Sequence, residues 1–308
     1  MAKPYVIGIV GPTASGKTAL SMMLAQKYPI EIICMDSMQV YQGMDIGTAK
    51  PSIEEQKFIP HHMLDLVLPS DPYDVAQYQQ GAHKAIEDIL SRQRLPVLVG
   101  GTGLYLRALT QGLSLGHTPK VDSLREKYEA LLVEIGNTAL HEELYKVDKT
   151  SAQRLHPNDT RRVIRALEVY EATGKPFSSQ KLPPIQDSPY DFKLYAADYP
   201  REELYRRIDR RVDAMMEAGL AMEVKMLLEQ GLTADMQSMQ GLGYKELIPY
   251  LQGQAGLDES VDIIKRRTRN YAKRQLTWFG KDKQVHWLQP EDMQSCFLKH
   301  LKEDLKQT

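Results

Sequence analysis

Three short apolar runs dominate the first third of the chain. They are YVIGIV (5–10), EIICM (31–35) and PVLVGG (96–101). Each run is nearly continuous, which is typical of strands buried on both faces of a parallel sheet. The apolar spacing after Lys17 and after Asp74 predicts helices. Because these strands and helices alternate, we expect a mostly parallel sheet that binds ligands beyond the carboxyl ends of its strands.

The strand pattern stops near Gly116, and helical periodicity replaces it over residues 122–175. DSLREKYEALLVEIG ends on Gly136, and DTRRVIRALEVYEATG ends on Gly174. Glycine is a common C-cap because it tolerates the left-handed conformation that closes many helices. The middle of the chain is therefore predicted to be a helical insertion.

A Pro-rich connector, KLPPIQDSPYD, leads into FKLYAADY (192–199), which is predicted to be one more strand of the sheet. The remainder is predicted to be helical. Its breaks are expected at Gly231, at QGLGY (240–244) and at QGQAG (252–256). We thus expect an α/β core made of residues 1–115 and 192–308, with a helical insertion domain over residues 116–191.

The composition is that of a globular protein with 308 residues, enough for a large core without a disulfide or metal. Only Cys34 and Cys296 are present, far apart and with no CxxC motif. That usage argues against a disulfide framework or a zinc site and fits a reducing cytoplasm. The apolar start of MAKPYVIGIVGP is too short for a signal peptide or membrane span. We therefore expect a cytoplasmic protein and, with no obvious dimer seam, a monomer.

The formal net charge is only −1, but charge is unevenly distributed along the chain. Residues 31–90 contain ten Asp or Glu and three Lys or Arg, whereas residues 261–283 contain eight Lys or Arg and two Asp. Electrostatic attraction acts over a Debye length of about 10 Å, so a neutral chain can still present a basic face to a polyanion. Net charge therefore does not exclude a nucleic-acid partner.

A phosphate-binding motif follows the first apolar run directly, as Gly, four residues, then Gly-Lys-Thr. Its residues are Gly11, Pro12, Thr13, Ala14, Ser15, Gly16, Lys17 and Thr18. In such a loop, backbone N–H groups and a helix N-terminus cradle an anion, the lysine adds charge and the threonine hydroxyl can ligate Mg²⁺. The motif predicts a bound diphosphate or triphosphate group without saying to which molecule the group belongs.

Asp36 comes immediately after the second apolar run and has three interpretations. It could associate with Mg²⁺ as a carboxylate of the Walker B kind, since it follows an apolar strand. It could be a general base that takes a proton from an acceptor OH or NH. It could also be a helix N-cap, because DSMQ places a Gln three residues after the Asp.

VGGTGLYL (99–106) closes the third run with glycines around Thr102. Glycines at a strand end permit the close approach of a ligand or of another backbone, and Thr102 offers a hydroxyl there. A tight turn between strand and helix accounts for the pattern equally well.

Arginines recur at helical spacing in three later segments. Arg207 and Arg211 stand at i and i+4, so both could reach a phosphate, or they could pair with Glu203 and Asp209 on the surface. The other two segments contain Arg161, Arg162 and Arg165, and then Arg266, Arg269 and Lys273 beside Tyr271 and Trp278. Cations spaced along a helix with aromatics nearby favour RNA binding, although a solvated helix face is the alternative for each.

Six motifs in order resemble those of bacterial tRNA dimethylallyltransferases, the tRNA isopentenyltransferase family, between Ile9 and Trp287. They are GPTASGKT, DSMQVYQGMDIGTAKP, LVGGTGLYL, HPNDTRRVIRALEV, GLGYKEL and YAKRQLTWF. The resemblance implies a P-loop NTPase-like core with a helical insertion that grips the anticodon stem-loop. It implies transfer of a dimethylallyl group from dimethylallyl diphosphate to N6 of the adenosine 3′ of the anticodon, in tRNAs that read codons beginning with U.

The resemblance also implies a role for each matching residue. The phosphate loop would hold the diphosphate of the donor together with Mg²⁺, which Thr18 would ligate. Lys17, Arg207 and Arg211 would stabilise the leaving group, Asp36 would be the general base, and Thr102 would hydrogen-bond at the same centre. The zinc-finger extension of eukaryotic relatives is missing.

Segments that match the tRNA contacts of the family lie throughout the chain. The implied tRNA-binding residues are Asp36, Ser37, Met38, Gln39, Thr102, Arg125, Arg161, Arg162, Val163, Ile164, Arg165, Gln240, Gly241, Leu242, Gly243, Tyr244, Lys245, Lys273, Arg274, Gln275 and Trp278. Two alternatives stand beside this function. One is a small-molecule or nucleoside kinase with ATP in the loop, and the other is a non-catalytic RNA-binding switch controlled by a nucleotide.

Overall fold

The computed structural model describes residues 3–111, 122–179, 188–291 and 293–306. The chain divides into two compact units, Met1–Gln111 with Asp187–Thr308, and Gly112–Gln186. The core boundary expected at 115/116 lies outside the described residues. Among the described residues, we find no helix with the length and apolar character needed to cross a membrane.

The first unit is built on one six-stranded sheet. Its strands are β1 (Tyr5–Val10), β2 (Ile30–Met35), β3 (His61–His62), β4 (Leu95–Gly100), β5 (Asp191–Ala197) and β6 (Val285–Leu288). Their order across the sheet is β3-β2-β4-β1-β5-β6, and every paired neighbour is parallel. The α/β class and the parallel sheet predicted from the sequence are confirmed.

The described residues form twelve α-helices. They are α1 (Lys17–Ala25), α2 (Ile53–Phe58), α3 (Val75–Ser91), α4 (Gly103–Thr110), α5 (Asp122–Val147), α6 (Lys149–Arg154), α7 (Thr160–Thr173), α8 (Arg201–Glu217), α9 (Leu220–Glu229), α10 (Tyr244–Leu251), α11 (Leu257–Phe279) and α12 (Met293–Lys306). Asp74 caps α3 by accepting hydrogen bonds from the N–H groups of Ala76 and Gln77. The helices expected after Lys17 and Asp74 are therefore present.

Successive strand residues pack on opposite faces of the sheet. Val6 and Val10 of β1 belong to the larger core, which also contains residues of α3, α4, α9 and α10. Ile7 and Ile9 belong to a second core with residues of α1 and α12. Because both faces are covered, the strands are apolar throughout, and this explains the continuous runs in the sequence.

The second unit consists of α5, α6 and α7 around its own core. Its buried apolar residues are Leu140, Leu144, Ala152, Val163, Ile164, Ala166 and Leu167. Gly136 interrupts α5 with a φ of +79°, and Gly174 ends α7 with a φ of +67°. Both glycines predicted as helix ends therefore adopt the left-handed backbone that a side chain disfavours.

The prediction of an entirely helical C-terminal region was wrong at β6. The strand VHWL is only four residues long, which is too short to stand out as an apolar run in the sequence after α11. β6 forms because it extends the sheet beyond β5, pairing residues Leu194–Ala197 with Val285–Leu288. Two-residue β3 was missed for the same reason, since its pairing with Ile32 and Ile33 is fixed by the neighbouring strand.

Candidate active site

The phosphate loop, Asp36 and Thr102 all follow the carboxyl ends of neighbouring strands. Val10 of β1 and Met35 of β2 both pair with Gly100 of β4, so the three strands end level with one another. In parallel sheets, this edge is where ligands bind. The fold thus brings three motifs that are far apart in sequence to one place.

The phosphate loop has the backbone of an anion cradle. Gly11 and Gly16 have φ values of +122° and +81°, and Ala14 also lies in the left-handed region at +63°. Alternating backbone hand is what turns successive N–H groups towards an anion. The hydroxyl of Ser15 is buried and has no hydrogen-bond partner among the described residues. Because an unpaired buried hydroxyl is costly, it is suited to donate to a bound phosphate.

Lys17 begins α1 and turns back over the loop. Its Nζ donates hydrogen bonds to the carbonyl oxygens of Gly11 at 3.2 Å and Pro12 at 2.7 Å. Burial, followed by the positive charge of Arg211, lowers the pKa of Lys17 to about 7, while Asp36 acts in the opposite direction. A polyanion in the cradle would favour the charged ammonium, so the loop and Lys17 together have the geometry of an anion-binding site.

Asp36 lies in a loop rather than at a helix start. Its Oδ1 accepts a hydrogen bond of 2.9 Å from the N–H of Met38. The next helix in this described part of the chain begins only at Ile53. The helix N-cap interpretation of Asp36 is therefore wrong, because DSMQ closes a tight turn that never continues as a helix.

Thr102 holds this turn from the neighbouring strand. Its Oγ1 accepts a 3.1 Å hydrogen bond from the N–H of Ser37, and its own N–H donates to the carbonyl of Met35 at 3.2 Å. The side chain of Thr102 is also hydrogen-bonded to Tyr271 of α11. Asp36 is consequently held between two backbone bonds at the end of β2.

The glycines around Thr102 are required by close protein contacts. A Cβ at Gly100 would lie 2.0 Å from the carbonyl oxygen of Met35, and one at Gly101 would lie 2.2 Å from Nε2 of Gln275. A Cβ at Gly103 would lie 2.3 Å from the Trp278 ring. Of the two open interpretations of VGGTGLYL, close packing of β2 and α11 accounts for these glycines.

The charge of Arg211 acts on both Lys17 and Asp36. Burial lowers the pKa of its guanidinium, while the negative charge of Asp36 acts to raise it. Arg211 also lines a cavity of about 660 Å³ together with Lys50, Ala214 and Met215. A cavity of that volume is in the range that accommodates small ligands.

Arg207 is bound to the phosphate loop itself. Its Nε donates a 2.8 Å hydrogen bond to the carbonyl of Ala14, and its guanidinium lies 4.6 Å from the ring centre of Tyr199. The acids expected to compete for these arginines have other partners. Glu203 pairs with Arg206, and Asp209 pairs with Arg269.

Some of the Lys and Arg residues along α11, here called its basic stripe, form ion pairs within the protein. Arg269 pairs with Asp209, and Lys265 pairs with Asp213, so two cations join α11 to α8. Lys273 and Arg274 are exposed, and Arg274 lies over the Tyr271 ring at 5.5 Å. An expected RNA-facing role for Arg269 is therefore replaced by an interhelical ion pair, whereas Lys273 and Arg274 face solvent.

Comparison with known proteins decides the family. The family model described as IPP transferase matches residues 39–282, and the one described as isopentenyl transferase matches residues 4–66. The chain belongs to the IPP transferase family. The tRNA dimethylallyltransferase of Pelotomaculum thermopropionicum is 46% identical over 294 residues, covering 96% of this chain and 93% of that relative. The tRNA dimethylallyltransferase 1 of Trichlorobacter lovleyi is 50% identical over 288 residues, covering 93% and 94%.

Solved structures of this family share the fold. The full-length tRNA isopentenylpyrophosphate transferase of Bacillus halodurans is 42% identical, with a TM-score of 0.74, covering 99% of this chain and 98% of that chain. A eukaryotic dimethylallyltransferase acting on tRNA is 34% identical with a TM-score of 0.74, covering 93% of this chain and 74% of that chain. The resemblance and the P-loop NTPase-like fold inferred from the sequence are confirmed.

The family motif GLGYKEL braces a loop in this member. Tyr244 is fully buried, and its hydroxyl donates to Glu223 at 2.6 Å. Its ring lies against Gly47, where a Cβ would come within 2.5 Å. Lys245 is half-buried and lies 4.0 Å from Glu246. Direct tRNA contact by the Tyr244 side chain is therefore inconsistent with its burial.

The other residues of this segment also contact neighbouring parts of the protein. Gln240 donates to the carbonyl of Ala234, and a Cβ at Gly241 would meet the Met38 side chain at 2.8 Å. Gly243 has a φ of +94°, and Leu242 is half-buried. The segment packs against the Met38 side of the Asp36 loop, while Gln240, Leu242 and Lys245 stay partly exposed.

The second unit presents arginines around a buried carboxylate. Arg165 pairs with Glu168 at 3.2 Å, and Arg125 lies 3.8 Å from the same carboxylate and pairs with Glu129. Arg161 is exposed, and Arg162 pairs with Asp159. Val163 and Ile164, in contrast, are in the core of this unit, so their side chains pack and do not contact RNA.

Glu223 is a residue that the sequence did not single out. Its carboxylate accepts hydrogen bonds from the N–H groups of Asp45, Ile46 and Gly47, at 3.0, 2.8 and 3.1 Å. The loop it holds supplies one wall of the cavity beside Arg211. No local signal could have found this contact, because Glu223 looks like any exposed acid of an amphipathic helix and the loop residues that it holds lie more than 170 residues away.

Proposed function

We propose that this protein transfers the dimethylallyl group of dimethylallyl diphosphate to N6 of the adenosine 3′ of the anticodon, in tRNAs that read codons beginning with U. The family membership and the functions named for its relatives support tRNA prenylation. The observation that carries the proposal is the position of Asp36, level with a phosphate loop at the same sheet edge. We further propose that it acts as a monomer in the cytoplasm, which agrees with its two free cysteines.

The phosphate loop would hold the diphosphate that becomes the leaving group. As the bond between the allylic carbon and the bridging oxygen breaks, the electron pair goes to that oxygen. Lys17, the loop N–H groups, Arg207 and Arg211 would stabilise the growing negative charge. Arg207 would also keep the loop in shape through its bond to Ala14. Charge stabilisation in a water-poor site is usually a large part of catalysis.

Asp36 would accept the proton lost by the acceptor amine. An exocyclic amine becomes acidic only while its bond to the allylic carbon forms, so a positioned carboxylate is a sufficient base. The bonds from Met38 and through Thr102 to Ser37 hold this carboxylate in place. The adenine must leave its stack to reach Asp36, which costs a few kcal/mol, about the value for flipped bases.

The residues at the start of α1 fit a magnesium ion bound with the diphosphate. Thr18 is exposed next to Lys17, and the unpartnered hydroxyl of Ser15 shows that the cradle has unused polar capacity. Among the described residues no cluster of three or more His, Cys, Asp or Glu side chains could hold a metal. Mg²⁺ typically keeps several waters and takes substrate phosphates as ligands, so one hydroxyl is enough. When bound, it would neutralise charge on the departing oxygens.

A prenyl-transfer assay tests the proposal. The protein is incubated with unmodified tRNA, Mg²⁺ and labelled dimethylallyl diphosphate, the tRNA is digested, and prenylated adenosine is sought. We expect label on adenosine and release of diphosphate. Turnover of ATP against a small acceptor, without label on tRNA, would instead establish the kinase alternative. RNA binding that responds to a nucleotide, with neither reaction, would establish the switch.

The exposed cations of α11 are proposed to contact the tRNA backbone. Replacement of Lys273 by Ala should weaken tRNA binding and lower the slope of log K against log salt by about one, because one phosphate contact is lost. The slope is measured by titrating tRNA at several salt concentrations. Lys84→Ala, an exposed lysine on α3, is the matched control and should leave the slope unchanged. An equal slope in Lys273→Ala and wild type contradicts the contact.

A further inference from the structure

Gln275 of α11 links two parts of the site that are distant in sequence. It is 5% exposed, and both ends of its amide are used. Oε1 accepts a 2.9 Å hydrogen bond from the N–H of Thr13 in the phosphate loop, and Nε2 donates a 2.9 Å hydrogen bond to the carbonyl of Gly101. Only a side chain with one acceptor and one donor in a fixed plane can make this pair of bonds.

The surroundings are shaped to admit this amide. A Cβ on Gly101 would lie 2.2 Å from Nε2 of Gln275, so any other residue at position 101 would displace the link. Gly101 directly precedes Thr102, whose hydroxyl holds the Asp36 turn. The amide therefore spans from the loop proposed to hold the donor to the turn proposed to hold the acceptor.

Tyr271, one helical turn before Gln275, strengthens the same junction. Its hydroxyl is hydrogen-bonded to the side chains of Thr102 and Gln275, and burial raises its pKa, so it stays a neutral phenol. The intervening Lys273 and Arg274 are exposed on the outer side of α11. One helix thus presents cations to solvent and two polar side chains to the reaction centre.

We propose that Gln275 is a positioning residue that fixes the separation between the phosphate loop and the Thr102 turn. This positioning role replaces the tRNA contact expected for Gln275, because both ends of its buried amide are already hydrogen-bonded to the protein. The inference rests on the proposed prenyl transfer. Displacement requires the amine and the allylic carbon to be about 3 to 3.5 Å apart, and a misplacement of about 1 Å can cost a hundredfold in rate.

Gln275→Met tests the proposal by removing both bonds while keeping the volume of the side chain. We expect kcat to fall by about a hundredfold, with KM for tRNA nearly unchanged, because the outer side of α11 is untouched. Gln79→Met is the matched control, since Gln79 likewise bonds a backbone carbonyl, that of Ala108, but lies on α3 away from the loop. It should retain wild-type kcat.

Gln275→Glu is a second test variant. Its readout is the pH dependence of kcat relative to wild type, which a loss of stability alone would not produce. When ionised, the introduced carboxylate faces the Gly101 carbonyl and repels it. When protonated, it can accept from Thr13 and donate to Gly101 as the amide does. The ratio of variant to wild-type kcat should therefore rise as pH falls. Taking the ratio removes any pH dependence that the two proteins share.

Binding of inorganic diphosphate with Mg²⁺, measured by calorimetry, separates this inference from the proposed function. Gln275→Met should bind it more weakly than Gln79→Met, even if wild type transfers no prenyl group. Absence of prenyl transfer by wild type overturns the proposed function only. Wild-type kcat and wild-type diphosphate binding in Gln275→Met overturn the positioning role, as does a pH-independent activity ratio in Gln275→Glu.

Discussion

Replacing Asp36 by Asn is expected to lower kcat for prenyl transfer by about two to four decades, the range for loss of a general base. The amide keeps an oxygen that can accept the hydrogen bond from Met38, so the turn should remain intact. What is lost is the ability to take the proton from the acceptor amine. Single-turnover rates with saturating tRNA measure the effect, and tRNA affinity, measured separately, should change little.

A matched control for this change is Asp88→Asn, which removes an exposed carboxylate on α3 that pairs with Arg92. It should leave the single-turnover rate at the wild-type value. Asp36→Ala should lose as much activity as Asp36→Asn or more, because it also loses the turn bond. Near-normal turnover in Asp36→Asn would show that the carboxylate only closes the turn and that another group accepts the proton.

Lys17→Met is expected to reduce kcat/KM for the prenyl donor by about a hundredfold to a thousandfold, the range for losing one preorganised donor to a developing anion. The half-buried ammonium donates hydrogen bonds to the loop carbonyls of Gly11 and Pro12. Binding of inorganic diphosphate should weaken in parallel, because the same charge holds the product. Calorimetry measures the binding, and steady-state kinetics over donor concentration measures turnover.

Lys27→Met, beyond the far end of the same helix α1, is the matched control for loss of one positive charge. It should bind diphosphate as wild type does. Unchanged diphosphate affinity in Lys17→Met would contradict the anion cradle and would leave the motif without its expected ligand. Weakened binding in both variants would indicate a general effect of net charge.

The residues at the strand ends could be predicted from the sequence. Strands, helices and the phosphate loop are encoded locally by apolar runs, spacing and turn residues, so Asp36 and Thr102 could be placed beyond the ends of β2 and β4. Parallel strands then end at one edge, which brought these residues together. The site was predictable where it depends on this local code and on sheet topology.

Contacts between distant side chains could not be read in the same way. Tyr244 and Gln275 lie in motifs that resemble tRNA contacts, yet both side chains are buried against other segments of the protein. Arg269 is a cation of the basic stripe whose partner, Asp209, lies on another helix. A sequence motif shows which residues resemble those of the family. Only the packing in the structure distinguishes a side chain that can contact RNA from one that holds other segments of the protein in place.

The bond between Gln275 and Thr13 has a consequence for how the protein is made. The two residues are 262 positions apart in sequence. The middle of the sheet is likewise complete only after β5 has been synthesised, because β5 pairs with β1. Synthesis proceeds at about 5 to 20 residues per second, so the first residues of the phosphate loop precede their last partner by many seconds. Nascent chains that stop short of α11 would carry the phosphate motif in an unbraced form. The donor site is therefore complete only after α11 has been synthesised.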